Sequence, residues 1–204
     1  MRIEVLCSLL LASTALASDP GFKDLFNGKN LDGWEIDTPG IWRVRDGMIV
    51  GRHEGLEYND FLRSKREYGD FVLKVNFLLG GGEGNSGVQI RSQPVPGSHE
   101  VAGYQADISS RHCWGCLYDE ARRRKFLAPA SKESQAALRP AGWNEMVITA
   151  KGNRVTVDLN AVRAAEYEET DPSIEPRGVL ALQVHSGPVM EVHFKDLRIR
   201  ELKP

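Results

Sequence analysis

Cysteine is scarce in this chain, which carries three in 204 residues. Cys7 sits in an apolar N-terminal stretch, leaving Cys113 and Cys116 in His112-Cys113-Trp114-Gly115-Cys116. No second pair of that spacing accompanies it and no alternation of strands and helices surrounds it, so a zinc ribbon and a thioredoxin-like centre both lack their context. A structural staple or two plain thiols is the leading reading, with a metal or redox role as the other. Net charge is also low. The formal value of −2 and an isoelectric point near 6.2 give no electrostatic reason to expect nucleic acid or an anionic membrane surface. Beyond the N-terminus there is no apolar run long enough to span a bilayer. Internal repeats, domain linkers and a sustained helical period are missing too. Gly80-Gly81-Gly82-Glu83-Gly84 is glycine-rich, yet no Lys-Ser/Thr follows it, so it reads as a turn and not as a phosphate loop.

What is present is period-2 alternation. Arg2 followed by the apolar stretch Val5 to Leu16 and the small-x-small run Ala15-Leu16-Ala17 predicts a secretory leader over 1–17. The mature chain, 18–204, is then a single exported domain, periplasmic or extracellular. Phe71, Leu73, Val75 and Phe77 share one face of a strand, and Trp143 to Ala150, Arg154 to Leu159, Gly178 to His185 and Met190 to Ile199 alternate in the same way. Asp46-Gly47, Lys151-Gly152-Asn153 and Asn160-Ala161 supply turns between them. Residues 109–142 read as a long loop with one short helix near 133–138. The basic run Arg122-Arg123-Arg124-Lys125, preceded by Asp119 and Glu120, reads as part of that solvated loop. The implied fold class is all-β, a sandwich or barrel.

Two strands carry an unusual polar face. Asn85 to Arg91 places Gln89 and Arg91 opposite Val88 and Ile90, and Gly103 to Ile108 places Gln105 and Asp107 opposite Tyr104, Ala106 and Ile108. A soluble sheet turns its polar face to water, and one built from a guanidinium, amides and a carboxylate suits a sugar. Arg91 with Asp107 is alternatively a plain cross-strand ion pair. His53, His99 and His193 read as surface residues.

In order along the chain, Phe22 to Trp34, Asn85-Ser86-Gly87 with Arg91, Gly103-Tyr104, Gly142-Trp143-Asn144, Gly178, Leu182-Gln183 with His185, and Val192 to Leu197 resemble the landmarks of the 3-keto-disaccharide hydrolase family. The resemblance implies a two-sheet jelly-roll sandwich of the concanavalin A-like lectin/glucanase type, export in many members, and chemistry on sugars oxidised at carbon 3. There are departures. The family commonly has a glutamate and then a glutamine where this chain has Gln105 and Asp107, Asn160-Ala161 replaces an Asn-Gly turn, and the Cys113–Cys116 segment is a further difference.

Ordinary glycoside hydrolysis needs two flanking carboxyls, and sandwich-fold glucanases set theirs in an acid-x-acid-x-acid strand. Gln105-Ala106-Asp107 has one acid. A 3-keto sugar allows a different route, because the ketone acidifies the proton on carbon 2 and the glycosidic oxygen can leave by elimination, with water adding back afterwards. This needs a base, an oxyanion partner and a proton donor. His185, with an unperturbed imidazole near pH 6.5, is the first choice of base, Arg91 the oxyanion partner, and Asp107 an orienting group, a hydroxyl ligand or the base itself. Gln89, Gln105 and Gln183 would bracket hydroxyls, with Tyr118 or Trp114 stacking on the ring. No cofactor is expected. A divalent metal stays open and would use Asp107 or His185. The expected ligand is a small carbohydrate, with no nucleic acid and no membrane span. The competing reading is a non-catalytic carbohydrate-binding domain, and a third is an adhesion domain.

Overall fold

The computed structural model describes residues 20–203, so the expected leader over 1–17 and Cys7 lie outside the described residues. The strands are, in chain order, β1 (Lys23–Asp24), β2 (Trp34–Ile36), β3 (Trp42–Arg45), β4 (Met48–Leu56), β5 (Asp60–Tyr68), β6 (Phe71–Leu79), β7 (Asn85–Pro94) and β8 (Val101–Ser109). There follow β9 (Trp114–Glu120), β10 (Lys125–Ala128), a five-residue helix α1 (Lys132–Ala136), β11 (Asn144–Lys151), β12 (Arg154–Leu159), β13 (Val162–Glu168), β14 (Gly178–Val184) and β15 (Gly187–Glu201).

These form two antiparallel sheets, the jelly-roll sandwich that the sequence implied. The first runs β13-β12-β11-β6-β15-β4-β3 with β1 against β15, and the second runs β10-β9-β8-β7-β14-β5-β2. Residues Phe71, Leu73, Val75 and Phe77 of β6 are buried while their neighbours are half-buried, as a strand with one core face requires. Against them pack Val88, Ile90, Tyr104, Ala106, Ile108 and Leu182 from the second sheet. Phe77 is fully buried, and truncating such a ring costs about 3–5 kcal/mol.

The second sheet differs in being buried on both faces at its centre. All seven residues of β14 are buried, and Phe61, Val101, Val179 and Ala181 make a small apolar cluster apart from the main core. The outer face of β8, β7 and β14 is therefore closely packed by the sheet's own side chains, which leaves the polar groups it carries little exposed to bulk water.

Several expectations are corrected. Residues 109–142 are not a long loop but contain β9, β10 and α1, the helix being capped by Ser131 Oγ, which accepts from Ser134 N at 3.1 Å. The basic run is not freely solvated. Arg122 and Arg123 both bind the fully buried Asp119, and Arg123 Nη2 also donates to Glu169 Oε2 at 2.7 Å. His53 is buried; Gly55 N donates to its Nδ1, so Nε2 carries the proton that binds His185 O at 2.9 Å. His193 is buried as well, its Nε2 bonded to Glu191 Oε1.

Candidate functional site

The register of the second sheet aligns the polar side chains on its outer face. Asp107 of β8 stands opposite Gly87 of β7, and Gly87 opposite Gln183 of β14. One pair further along, Tyr118 stands opposite Gln105, Gln105 opposite Gln89, and Gln89 opposite Ala181. Gly87 is what connects the two rows. A Cβ there would lie 2.5 Å from Gln105 Cδ, so only glycine lets the Gln105 side chain lie across β7.

Thus placed, Gln105 Nε2 donates to Asp107 Oδ1 at 2.8 Å and to Gln183 Oε1 at 3.3 Å. Gln89 Nε2 donates to Gln105 Oε1 at 3.2 Å and to Val101 O at 3.3 Å, and Ser92 Oγ donates to Gln89 Oε1 at 2.6 Å. Three amides thus form a frame with the carboxyl at one end. All four are buried, Gln89 and Gln183 fully and Gln105 and Asp107 nearly so, with the carboxyl at the end of the frame nearest Cys116. Gln183 Nε2 is buried without a protein partner, a donor that a bound hydroxyl or water would satisfy.

Burial pushes the Asp107 carboxyl up from 3.8 to about 7. The Gln105 hydrogen bond opposes this by less, and the charge of Glu120 adds to it. Glu120 itself is buried, and its carboxyl is raised by that burial and then by Glu100. Its contact with Asn59 Nδ2 is long, at 3.5 Å.

Beside Asp107, Cys113 and Cys116 form a disulfide with Cα atoms 6.0 Å apart, and Cys116 Sγ lies 3.7 Å from Asp107 Oδ2. The two cysteines line a hollow of about 580 Å³ with Arg111, His112, Phe126 and Gln135. Phe126 is 51% exposed and meets the Tyr118 ring edge-on at 5.1 Å. The hollow therefore offers an open aromatic face, with Asp107 behind the disulfide in its wall.

Of the residues expected to act together, Asp107, Gln89, Gln105 and Gln183 converge, and Tyr118 borders them. Arg91 does not. The β7–β8 register shifts between Ile90 and Gln93, and Arg91 sits at that bulge with φ 46°, which re-aims its side chain. Its guanidinium donates to Gly69 O at 2.8 Å, Gly152 O at 2.7 Å and Asp70 Oδ1 at 2.7 Å. It is an internal clamp between the two sheets, paired with Asp70 and not with Asp107. Gly178 makes room for the bulge, since a Cβ there would meet Ser92 O at 2.5 Å. Trp114 is also corrected. It turns inward and stacks on Phe77 at 6.1 Å in the core, because the register shifts again between Ala106 and Ile108. His185 lies just past β14, its Nδ1 bonded to Ser186 O at 2.7 Å. It lines a separate hollow of about 400 Å³ with Asn85, Arg111 and His112. Sequence reasoning missed Glu120, Phe126 and Gly87 as parts of the site. No alternation announces Glu120 or Phe126, since β9 reads Trp114-Gly115-Cys116-Leu117-Tyr118-Asp119-Glu120 and is buried almost throughout, and β10 is only four residues long.

Residues 21–200 match the 3-keto-alpha-glucoside-1,2-lyase-like domain. The chain belongs to that family. Among curated protein sequences none matches it. In fold this family member is similar to a candidate glycosyl hydrolase from Parabacteroides distasonis ATCC 8503, with TM-score 0.68 and 21% identity over 90% of this chain and 94% of that one. It is also similar to the carbohydrate binding module CBM66 from Bacillus subtilis, with TM-score 0.65 and 17% identity over 83% and 96% of the two chains. Bacillus licheniformis beta-glucanase superposes with TM-score 0.58 and 10% identity over 89% and 97%. At these identities the likeness is one of fold.

Proposed function

We propose that this protein is an exported carbohydrate-active enzyme that cleaves the glycosidic bond of 3-keto disaccharides or 3-keto glycosides. The observation that carries the reading is the Asp107 carboxyl, raised to about 7 by burial and held at one end of an amide frame, beside the disulfide that lines a hollow. A general base works best when its pKa lies near the working pH. Asp107 takes the proton from carbon 2 of the keto sugar, and the electron pair of that C–H bond forms the enolate at carbons 2 and 3. The enolate oxygen needs donors. With Arg91 committed elsewhere, Gln183 Nε2, which has no protein partner, fills that role. The enolate then expels the oxygen on carbon 1, and the C–O bonding pair leaves with it. Glu120, a buried carboxyl whose proton affinity is raised by that burial, is the proton donor to the departing oxygen. Water adding to carbon 1 completes net hydrolysis. Elimination between carbons 1 and 2 is also the reaction class that the words 1,2-lyase denote.

The test is incubation with 3-keto-trehalose and a 3-keto glucoside, with and without chelator, while following released sugar. Release that is lost in Asp107→Asn supports the enzyme. Binding of those sugars with no release from any of them supports the other reading, a carbohydrate-binding domain. That reading draws on the fold shared with CBM66 and on a frame whose hydrogen bonds are largely satisfied within the protein.

A further inference from the structure

The Cys113–Cys116 pair takes no part in the proposed reaction, yet it lies against the central carboxyl. Cys116 is fully buried and Cys113 half-buried. Between them Gly115 adopts φ +80°, the left-handed turn that brings the sulfurs together. The two Sγ atoms and a carboxylate oxygen of Asp107 all lie within 4.8 Å of one another. In a tetrahedral zinc site, with Zn–S near 2.3 Å and Zn–O near 2.0 Å, neighbouring donors stand about 3.5–4 Å apart. Cys116 Sγ and Asp107 Oδ2 already stand at that spacing, 3.7 Å apart, and the two sulfurs reach it by moving apart once the S–S bond is broken.

We propose that Cys113, Cys116 and Asp107 form a binding site for a thiophilic divalent cation, Zn²⁺ fitting best, which opens only when the disulfide is reduced. In the disulfide the sulfurs carry no charge, and Asp107 alone cannot hold a metal. A dithiol reductant delivers two electrons and two protons to the S–S bond, giving two thiols and itself becoming a disulfide. Binding of the cation then displaces both thiol protons, and the ion is held by two thiolates and one carboxylate. Soft sulfur donors select Zn²⁺ over Mg²⁺ or Ca²⁺, which prefer all-oxygen sites. The ligand set leaves one excess negative charge, and Arg111 lines the same hollow. So does His112, which offers an imidazole for the fourth position if water does not fill it. Cys-x-x-Cys by itself is a weak signal; a buried carboxylate beside it adds the third donor. The proposal concerns binding alone and holds whether or not Asp107 is a catalytic base.

The mature protein, reduced anaerobically with a non-chelating phosphine, is titrated with Zn²⁺ and separately with Co²⁺, and folding is followed by circular dichroism. The expected result is one equivalent of Zn²⁺ on the folded reduced protein, a thiolate-to-cobalt charge-transfer band with Co²⁺, and neither on the oxidised protein. Cys113→Ser and Cys116→Ser each remove the band, and Asp107→Asn weakens binding by at least about tenfold. The proposal is overturned by equal binding to the oxidised protein, by reduced protein that binds no more Zn²⁺ than the double serine variant, or by loss of the fold on reduction.

Discussion

Replacing Asp107 by asparagine should make the protein more stable at alkaline pH while abolishing its chemistry. The carboxyl rises from 3.8 to about 7 on folding because burial penalises its charged form. A carboxyl raised in this way binds its proton more tightly in the folded state, so its contribution to stability is fully present below pH 4 and is lost as pH rises through 7. Three pKa units correspond to about 4 kcal/mol. Asparagine keeps an oxygen to accept from Gln105 Nε2, now 2.8 Å from Asp107 Oδ1, and has no charge to bury. Urea unfolding of both proteins at pH 5 and pH 8.5 isolates the effect, because titrations common to both cancel in the difference. The stability of Asp107→Asn relative to the parent should grow by about 3 kcal/mol between those two pH values, on the same linkage relation. A difference that stays constant with pH would refute the argument, because a carboxyl with an ordinary pKa is fully ionised at both. The kinetic counterpart is a bell-shaped kcat/KM profile, set by one group that must be ionised and one that must be protonated, and a loss of at least about 100-fold in the variant.

Arg91→Ala should act on the fold and not on the chemistry. It removes three buried hydrogen bonds and leaves the Gly69 and Gly152 carbonyls without their donor, at a cost of about 3 kcal/mol in chemical denaturation, while turnover per folded molecule stays near the parent's. Phe126→Ala should do the reverse. The ring is 51% exposed, so stability changes by less than about 0.5 kcal/mol. Loss of a stacking face worth about 0.5–1.5 kcal/mol raises KM roughly two- to tenfold at unchanged kcat. Calorimetric melting and steady-state kinetics on the two variants check both.

The strands were legible because a half-buried sheet writes its period into the sequence, as β6 shows in alternating buried and half-buried positions. Hairpins were legible where turn chemistry is local. Asp46, Asn160 and Ala161 all take positive φ at the turns expected of them. Arg91 was misplaced for a physical reason. Alternation assumes an even register, and nothing local to Ile90-Arg91-Ser92 announces that the chain bulges there. The cause lies in β14, where Gly178 lets the backbones approach. Trp114 failed in the same way, one residue before Gly115 at φ +80°. His53 and Arg123 failed because partners of theirs lie on distant segments, His185 O for the first and Glu169 for the second. Arg123 reaches Glu169, 46 residues away.

The exchange of residue types on β8 bears directly on where the chemistry sits. With the carboxyl at 107 and the amide at 105, it is the amide that lies over Gly87 and touches both Gln89 and Gln183. A carboxylate in that position could still accept from Gln89 Nε2, but it would meet the Gln183 oxygen and the neighbouring position 107, where Gln105 Nε2 now donates. The carboxylate is instead set at the end of the frame, against Cys116 and the hollow that holds Phe126. A Gln105→Glu/Asp107→Gln double exchange would restore the family's usual order but move the charge to the middle of the frame, between Gln89 and Gln183. Under the proposed elimination a single carboxyl on this strand is sufficient. Elimination from a 3-keto sugar asks for one base near carbon 2, and a second carboxyl on the strand would add repulsion where the frame needs donors.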